Sequence, residues 1–216
     1  MVELDSGRAA QARACAAPGT VALTFDDGPD HVWTARILAA LEHRAATATF
    51  FVDARRALAC PKLVRGMVAA GHEVGLHCVR HVRHSELSAE EVAAEAAEGL
   101  EVLDSLGVRP TAWRTPWGVV TDATRGVAAE RGLELWDWSF DSHDWRGDDC
   151  EEMLFALRTQ GGLADGSVVL MHDALGPGAR RDGCDETVRL TVALLDAAAT
   201  VGLRPTRLSE LAPVPT

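Results

Sequence analysis

The sequence predicts an α/β fold built on a largely parallel sheet. Short runs rich in β-branched and aromatic residues alternate with segments whose apolar residues recur at helical spacing. Glycine closes several of the helical segments, and charged or histidine side chains stand directly after the predicted strands. At 216 residues the chain is long enough for one domain with a sizeable core, and its 47% apolar and 25% charged content is ordinary for a soluble globular protein. A net charge of −11 argues against nucleic-acid partners and against an anionic membrane surface. It leaves room for a local basic pocket that takes an anionic substrate. There is no apolar run long enough to cross a membrane.

The elements follow in order. Residues 21–25 read as a buried strand, after which Trp33, Ile37, Leu38 and Leu41 repeat at helical spacing. Residues 48–52 are the second strand. Pro61 suits the first turn of a helix with Leu63, Val64, Met67 and Val68 on its apolar face, ended by Gly71. Residues 73–76 are a short strand leading into His77. Ser88 with Glu91 makes a capping box for a helix that Gly107 closes. A strand over 111–114 enters a Pro-Trp-Gly turn. Residues 123–131 are a helix closed by Gly132, 133–138 a strand carrying Trp136 and Trp138, and 151–159 a helix stopped by Gly161-Gly162. A strand over 168–171, a helix over 188–199 and a final strand over 203–206 complete the pattern. The glycine-rich stretch 173–185 is the longest irregular segment, of a kind that often touches substrate. Its Arg180-Arg181 pair reads as an exposed loop pair, with a phosphate or carboxylate clamp as the functional alternative.

Five polar sets follow predicted strands: Asp26-Asp27, His77 with His81, Arg114 with Pro116-Trp117, Asp141 with Asp144-Trp145, and His172. In an α/β barrel the carboxyl ends of the strands share one face, so all five would converge on one pocket. Neighbouring side chains on an extended strand point opposite ways, so Asp26 and Asp27 are expected to take different parts. His77 and His81, four apart, suit a chelate, and a carboxylate such as Asp27 would complete a two-His, one-carboxylate site. That ligand set suits Zn²⁺ and also admits Co²⁺, Mn²⁺ or Ni²⁺.

The order Thr-Phe-Asp-Asp-Gly-Pro, His-x-x-x-His, Arg-x-Pro-Trp-Gly, Asp-x-x-Asp-Trp and Leu-x-His resembles the polysaccharide deacetylases, carbohydrate esterase family four, over 18–211. The resemblance implies a distorted (β/α)7-8 barrel and a single divalent metal. Residues 1–17 would be an N-terminal extension and 18–212 one catalytic domain. It makes Asp26 the catalytic base, Asp27, His77 and His81 the metal ligands, and Arg114 the partner that orients Asp26. His172 would be the general acid, tuned by Asp144, and the backbone N–H near Trp117 would join in holding the oxyanion. Pro116, Trp117, Trp145 and Leu170 would form the substrate pocket. Cys78 stands where the family usually has Ser or Thr, Val82 where it usually has Pro, and Thr115-Pro116-Trp117 where it has Pro-Pro-Tyr. Cys78 itself reads as a buried thiol rather than a ligand or nucleophile.

The expected activity is hydrolysis of an acetyl or acyl amide on an N-acetylamino sugar, an oligosaccharide or a small N-acylated metabolite. An O-acetyl esterase, a non-sugar C–N hydrolase, and an inactive carbohydrate-binding member are the alternatives. Five cysteines without regular spacing, and no apolar leader-like run in the first 19 residues, give the expectation of reduced thiols and a cytoplasmic setting.

Overall fold

In the computed structural model, residues 19–210 are described; the extension expected at 1–17 and Cys15 lie outside them. Among the described residues the sheet has eight strands, seven in the order β5-β4-β3-β2-β1-β7-β6 and β8 paired with β1 beside that path. They are β1 (Thr20–Asp26), β2 (Thr49–Asp53), β3 (Glu73–Cys78), β4 (Ala112–Trp113), β5 (Glu134–Leu135), β6 (Phe140–Asp141), β7 (Ser167–His172) and β8 (Arg204–Thr206). The pairings along this path, and that of β8, are parallel. Among the described residues no pairing joins β5 to β6, so the barrel stays open on that side.

Among the described residues, seven α-helices pack around it: α1 (Trp33–His43), α2 (Ala54–Ala59), α3 (Pro61–Ala69), α4 (Ala89–Ser105), α5 (Asp122–Arg131), α6 (Cys150–Thr159) and α7 (Asp185–Val201). The period-2 alternation of each strand divides the core. On β1, Val21, Leu23 and Phe25 join the layer under the helices with Ile37, Leu41 and Leu194. Ala22 turns the other way, into a smaller cluster with Phe51, Ala112, Trp136 and Val168. Asp26 is in phase with Ala22 and Thr24, and this alternation aims it into the barrel.

Several boundaries differ from the sequence expectation. The helix α2 was not predicted; Asp53 starts it by accepting the N–H groups of Arg55 and Arg56. The strand expected over 133–138 ends after Leu135, and the chain breaks away so that the Asp137 carbonyl meets the Arg114 guanidinium at 3.0 Å. The two-residue strand β6 then forms where a loop was expected. His77 and His172 lie within their strands rather than after them. Helix α7 begins at Asp185 and runs one turn longer at its start than its apolar pattern suggested. The capping box of Ser88 and Glu91 is present.

Candidate active site

Strand register brings the polar sets together. Asp26 ends β1 and is the direct partner of Phe51 on β2 and of His172 on β7. Asp27 follows with φ 74°, a left-handed conformation uncommon for a residue other than glycine. That turn takes Asp27 out of the strand alternation, so both carboxylates line the same cleft of about 500 Å³. The expected opposition of the two side chains therefore does not persist past the strand end.

Asp27 Oδ1 lies 3.4 Å from His77 Nε2 and 3.2 Å from His81 Nε2. Among the described residues these three form the group whose donor atoms all fall within 4.8 Å of one another. His77 Nδ1 donates to the Arg114 carbonyl at 2.7 Å, which fixes the tautomer and leaves Nε2 to face Asp27. Two imidazole nitrogens and a carboxylate oxygen, closely grouped and largely buried, fit a divalent cation. Burial acts to raise the Asp27 pKa, but the hydrogen bonds of His77 and His81 and the charges of His77 and His172 overcome it and hold Asp27 well below the usual carboxylate range. Gly176 leaves room for this arrangement: a Cβ there would lie 1.8 Å from Asp27 Oδ2.

Arg114 is wholly buried beneath Asp26. Its Nη1 donates to Asp26 Oδ1 at 3.0 Å and to Thr24 Oγ1 at 2.7 Å, and its guanidinium lies 4.3 Å above the Phe51 ring. A rigid planar fork is needed to meet a carboxylate, a hydroxyl and a carbonyl at once.

On the other wall, Asp144 Oδ1 accepts from His172 Nδ1 at 2.7 Å. Burial acts to lower the His172 pKa, but the charge and hydrogen bond of Asp144, with Asp27 and Asp26 farther off, push it up to about 9. Asp144 is held far below the ordinary carboxylate value: burial works to raise it, and His172, Arg181 and Thr187 outweigh that. Arg181 was expected on an exposed loop. Its side chain is instead buried, donating to the backbone carbonyls of Asp144 (2.9 Å) and His172 (3.0 Å) and pairing with Asp144 Oδ2 at 3.1 Å. Nothing in the local sequence announces this, because the contacts join loop, strand and helix.

Trp117, Trp145 and Leu170 line the cleft as expected, and so do Trp138, Asp141 and Arg83. Trp117 has φ 53° and sits edge-on to His81, with ring centres 4.2 Å apart. Pro116 is buried in the turn and does not line the cleft. Cys78 is buried with its thiol pKa raised well above the ordinary value by burial, in keeping with an inert side chain. Asp173, which the sequence reading passed over, accepts the Gly28 N–H at 3.1 Å, and a Cβ at Gly28 would lie 2.1 Å from its carboxylate.

Residues 13–136 match the family profile described as polysaccharide deacetylase. The chain belongs to the polysaccharide deacetylase family. It is 32% identical to a peptidoglycan-N-acetylglucosamine deacetylase of Bacillus cereus over 193 residues, covering 88% of this chain and 87% of the relative. It is 33% identical to a chitooligosaccharide deacetylase of Bradyrhizobium over 172 residues, 79% of this chain and 78% of the relative. Among solved structures it resembles the family 4 carbohydrate esterase from Streptomyces lividans in complex with acetate, with a TM-score of 0.77 and 30% identity, covering 89% and 93% of the two chains. Polysaccharide deacetylases of this kind are metal-dependent enzymes that hydrolyse amides. The open parallel barrel with surrounding helices is the architecture of this family.

Proposed function

We propose that this protein removes the acetyl group from the amide nitrogen of an N-acetylglucosamine residue in an oligosaccharide. One observation carries the reading: Asp26 and His172 are paired across β1 and β7, and the Asp27-His77-His81 group lies in the cleft they share. A divalent cation, Zn²⁺ first and Co²⁺, Mn²⁺ or Ni²⁺ as alternatives, would supply Lewis acidity at those three side chains and make bound water more acidic.

The chain's own groups do the rest. Asp26 takes the proton from water as its oxygen adds to the amide carbon. Arg114, itself anchored on the Thr24 hydroxyl, holds that carboxylate in one orientation, so no reorganisation is needed at the moment of transfer. The backbone N–H of Trp117 serves the developing oxyanion, where one donor is worth about 10²–10³ in rate. His172 enters as imidazolium, its Nδ1 proton committed to Asp144. Its Nε2 proton goes to the nitrogen as the C–N bond breaks, so acetate and a free amine leave. Leu170 faces the acetyl methyl, and Trp117 and Trp145 wall the sugar.

The test is acetate release by the protein loaded with each of the four metals. N-acetylglucosamine oligomers should yield acetate and one free amine per acetate. Acetylated xylan and small N-acyl compounds should be poorer substrates. Turnover of acetylated xylan alone would replace the amide reading with an ester one.

A further inference from the structure

Glu95 is a buried carboxylate that the mechanism leaves unused. It lies on α4 and is 3% exposed, while Glu90, Glu91, Glu98 and Glu101 of the same helix face solvent. A carboxylate taken out of water is costly unless its oxygens are paired. The hydrogen-bond partners of Glu95 lie in the segment between His77 and His81. Its Oε1 accepts the Val79 N–H at 2.9 Å and the Arg80 N–H, and its Oε2 accepts from Arg80 Nε at 2.8 Å. A glycine lets the helix come this close: a Cβ at Gly99, one turn on, would lie 2.6 Å from Leu76 Cδ1 and 3.4 Å from Val79 Cγ2.

The two imidazoles of the site are held in different ways. His77 is fixed from its far side, where Nδ1 meets the Arg114 carbonyl. His81 Nδ1 is buried with no hydrogen-bond partner among the described residues. A metal-binding histidine is ordinarily oriented by a hydrogen bond from its other ring nitrogen. The direction of His81 therefore has to come from its backbone and from the edge-on Trp117 ring. The backbone supplies it through a tight turn: the Val82 N–H donates to the Arg80 carbonyl at 2.6 Å, with His81 at the apex. Glu95 grips the residue that opens this turn by its N–H. The thiol of Cys78, just before the gripped pair, is a weak hydrogen-bonding group and adds little.

We propose that Glu95 is a positioning residue for the metal centre: it clamps the backbone at Val79 and Arg80 and so aims His81 Nε2 at the point it shares with Asp27 and His77. The reach of its oxygen to two N–H groups does this work, and its charge is secondary. The inference rests on the metal reading of the Asp27-His77-His81 group and names a residue outside that group that sets its affinity.

The test compares the parent protein with E95A, E95D, E95Q and R80Q. Competition against a chelating dye reads Zn²⁺ affinity, and the visible spectrum of the Co²⁺-loaded proteins reports the ligand set. E95A should bind Zn²⁺ about 10–100-fold more weakly, the range for a ligand that has lost its support. E95D keeps the charge but is one methylene short, so it should also lose about tenfold and alter the Co²⁺ bands. E95Q keeps an acceptor oxygen at full length and should stay within about threefold of the parent, with the parent's bands. R80Q removes a half-exposed ion pair but not the clamp, and should behave like E95Q. Where E95A does not fold, E95D carries the comparison. Parent-like affinity in E95A and E95D overturns the clamp, as does a loss in E95Q or R80Q as large as that in E95D. A Tm lowered in E95A and E95D with affinity and Co²⁺ bands unchanged marks support of the fold alone and overturns it too. A parent protein that takes up neither Zn²⁺ nor Co²⁺ defeats the metal reading and the clamp with it, whereas a parent that binds them no better than E95A and E95D defeats the clamp alone.

Discussion

Asp144 grips His172 at two points: Oδ1 accepts from the ring Nδ1 at 2.7 Å, and Oδ2 accepts the His172 backbone N–H at 2.9 Å. Ring orientation and charge are therefore set by one carboxylate. Since His172 is pushed up to about 9, it stays protonated through neutral pH and activity should fall on an alkaline limb. Part of the rise comes from Asp26 and Asp27, so a cation beside Asp27 should bring that limb below 9. D144N should move it lower still and reduce kcat. A pH–rate profile of both proteins checks this. The same raised value means that the stabilising effect of the ion pair is complete below about pH 6.5 and is lost as pH climbs through about 9.

Replacing Asp26 with Asn removes the proposed proton acceptor while the metal donors keep their positions. The expected loss is about 10²–10⁴ in kcat, with metal content unchanged by elemental analysis. Full activity in D26N would remove the base from the mechanism.

Chelation should abolish activity and also lower Tm, because a cation that binds only the folded state stabilises it by mass action. H77A and D27A should lose both the metal and its stabilising increment. Thermal scans with and without added Zn²⁺ read this directly: the shift seen in the parent protein should vanish in the variants.

G176A tests a residue that ligates nothing. Its Cβ would lie 1.8 Å from Asp27 Oδ2, so either the carboxylate or the loop must move. Metal affinity should fall by about 10–100-fold, the range seen when groups supporting a ligand are disturbed. Competition against a chelating dye measures it.

Removing the Arg114 side chain leaves Asp26 buried without its cation. R114M should cost about 3–5 kcal/mol in denaturant unfolding, as expected for a broken buried pair. R114K should recover little, since an ammonium cannot meet Thr24, Asp26 and the Asp137 carbonyl with one planar fork.

The chemistry was legible in the chain because it lies in short motifs at strand ends. Asp26-Asp27, the four-residue spacing of His77 and His81, Arg114, Asp144 and His172 could all be picked out before any fold was known. So could the parallel α/β class, since alternating periodicities of two and 3.6 residues are local properties. What the tertiary structure decided is what depends on contacts between distant segments. The left-handed turn at Asp27 overrides strand alternation and puts two adjacent carboxylates in one cleft. Arg181, outwardly a loop residue, becomes the buried anchor of the Asp144–His172 pair. Pro116 recedes into the turn while Trp138 and Arg83 come forward. Local sequence sets which groups are available and how each element repeats; only the register of β1 against β2 and β7, and the packing of loops over the open barrel, fixes which of those groups touch.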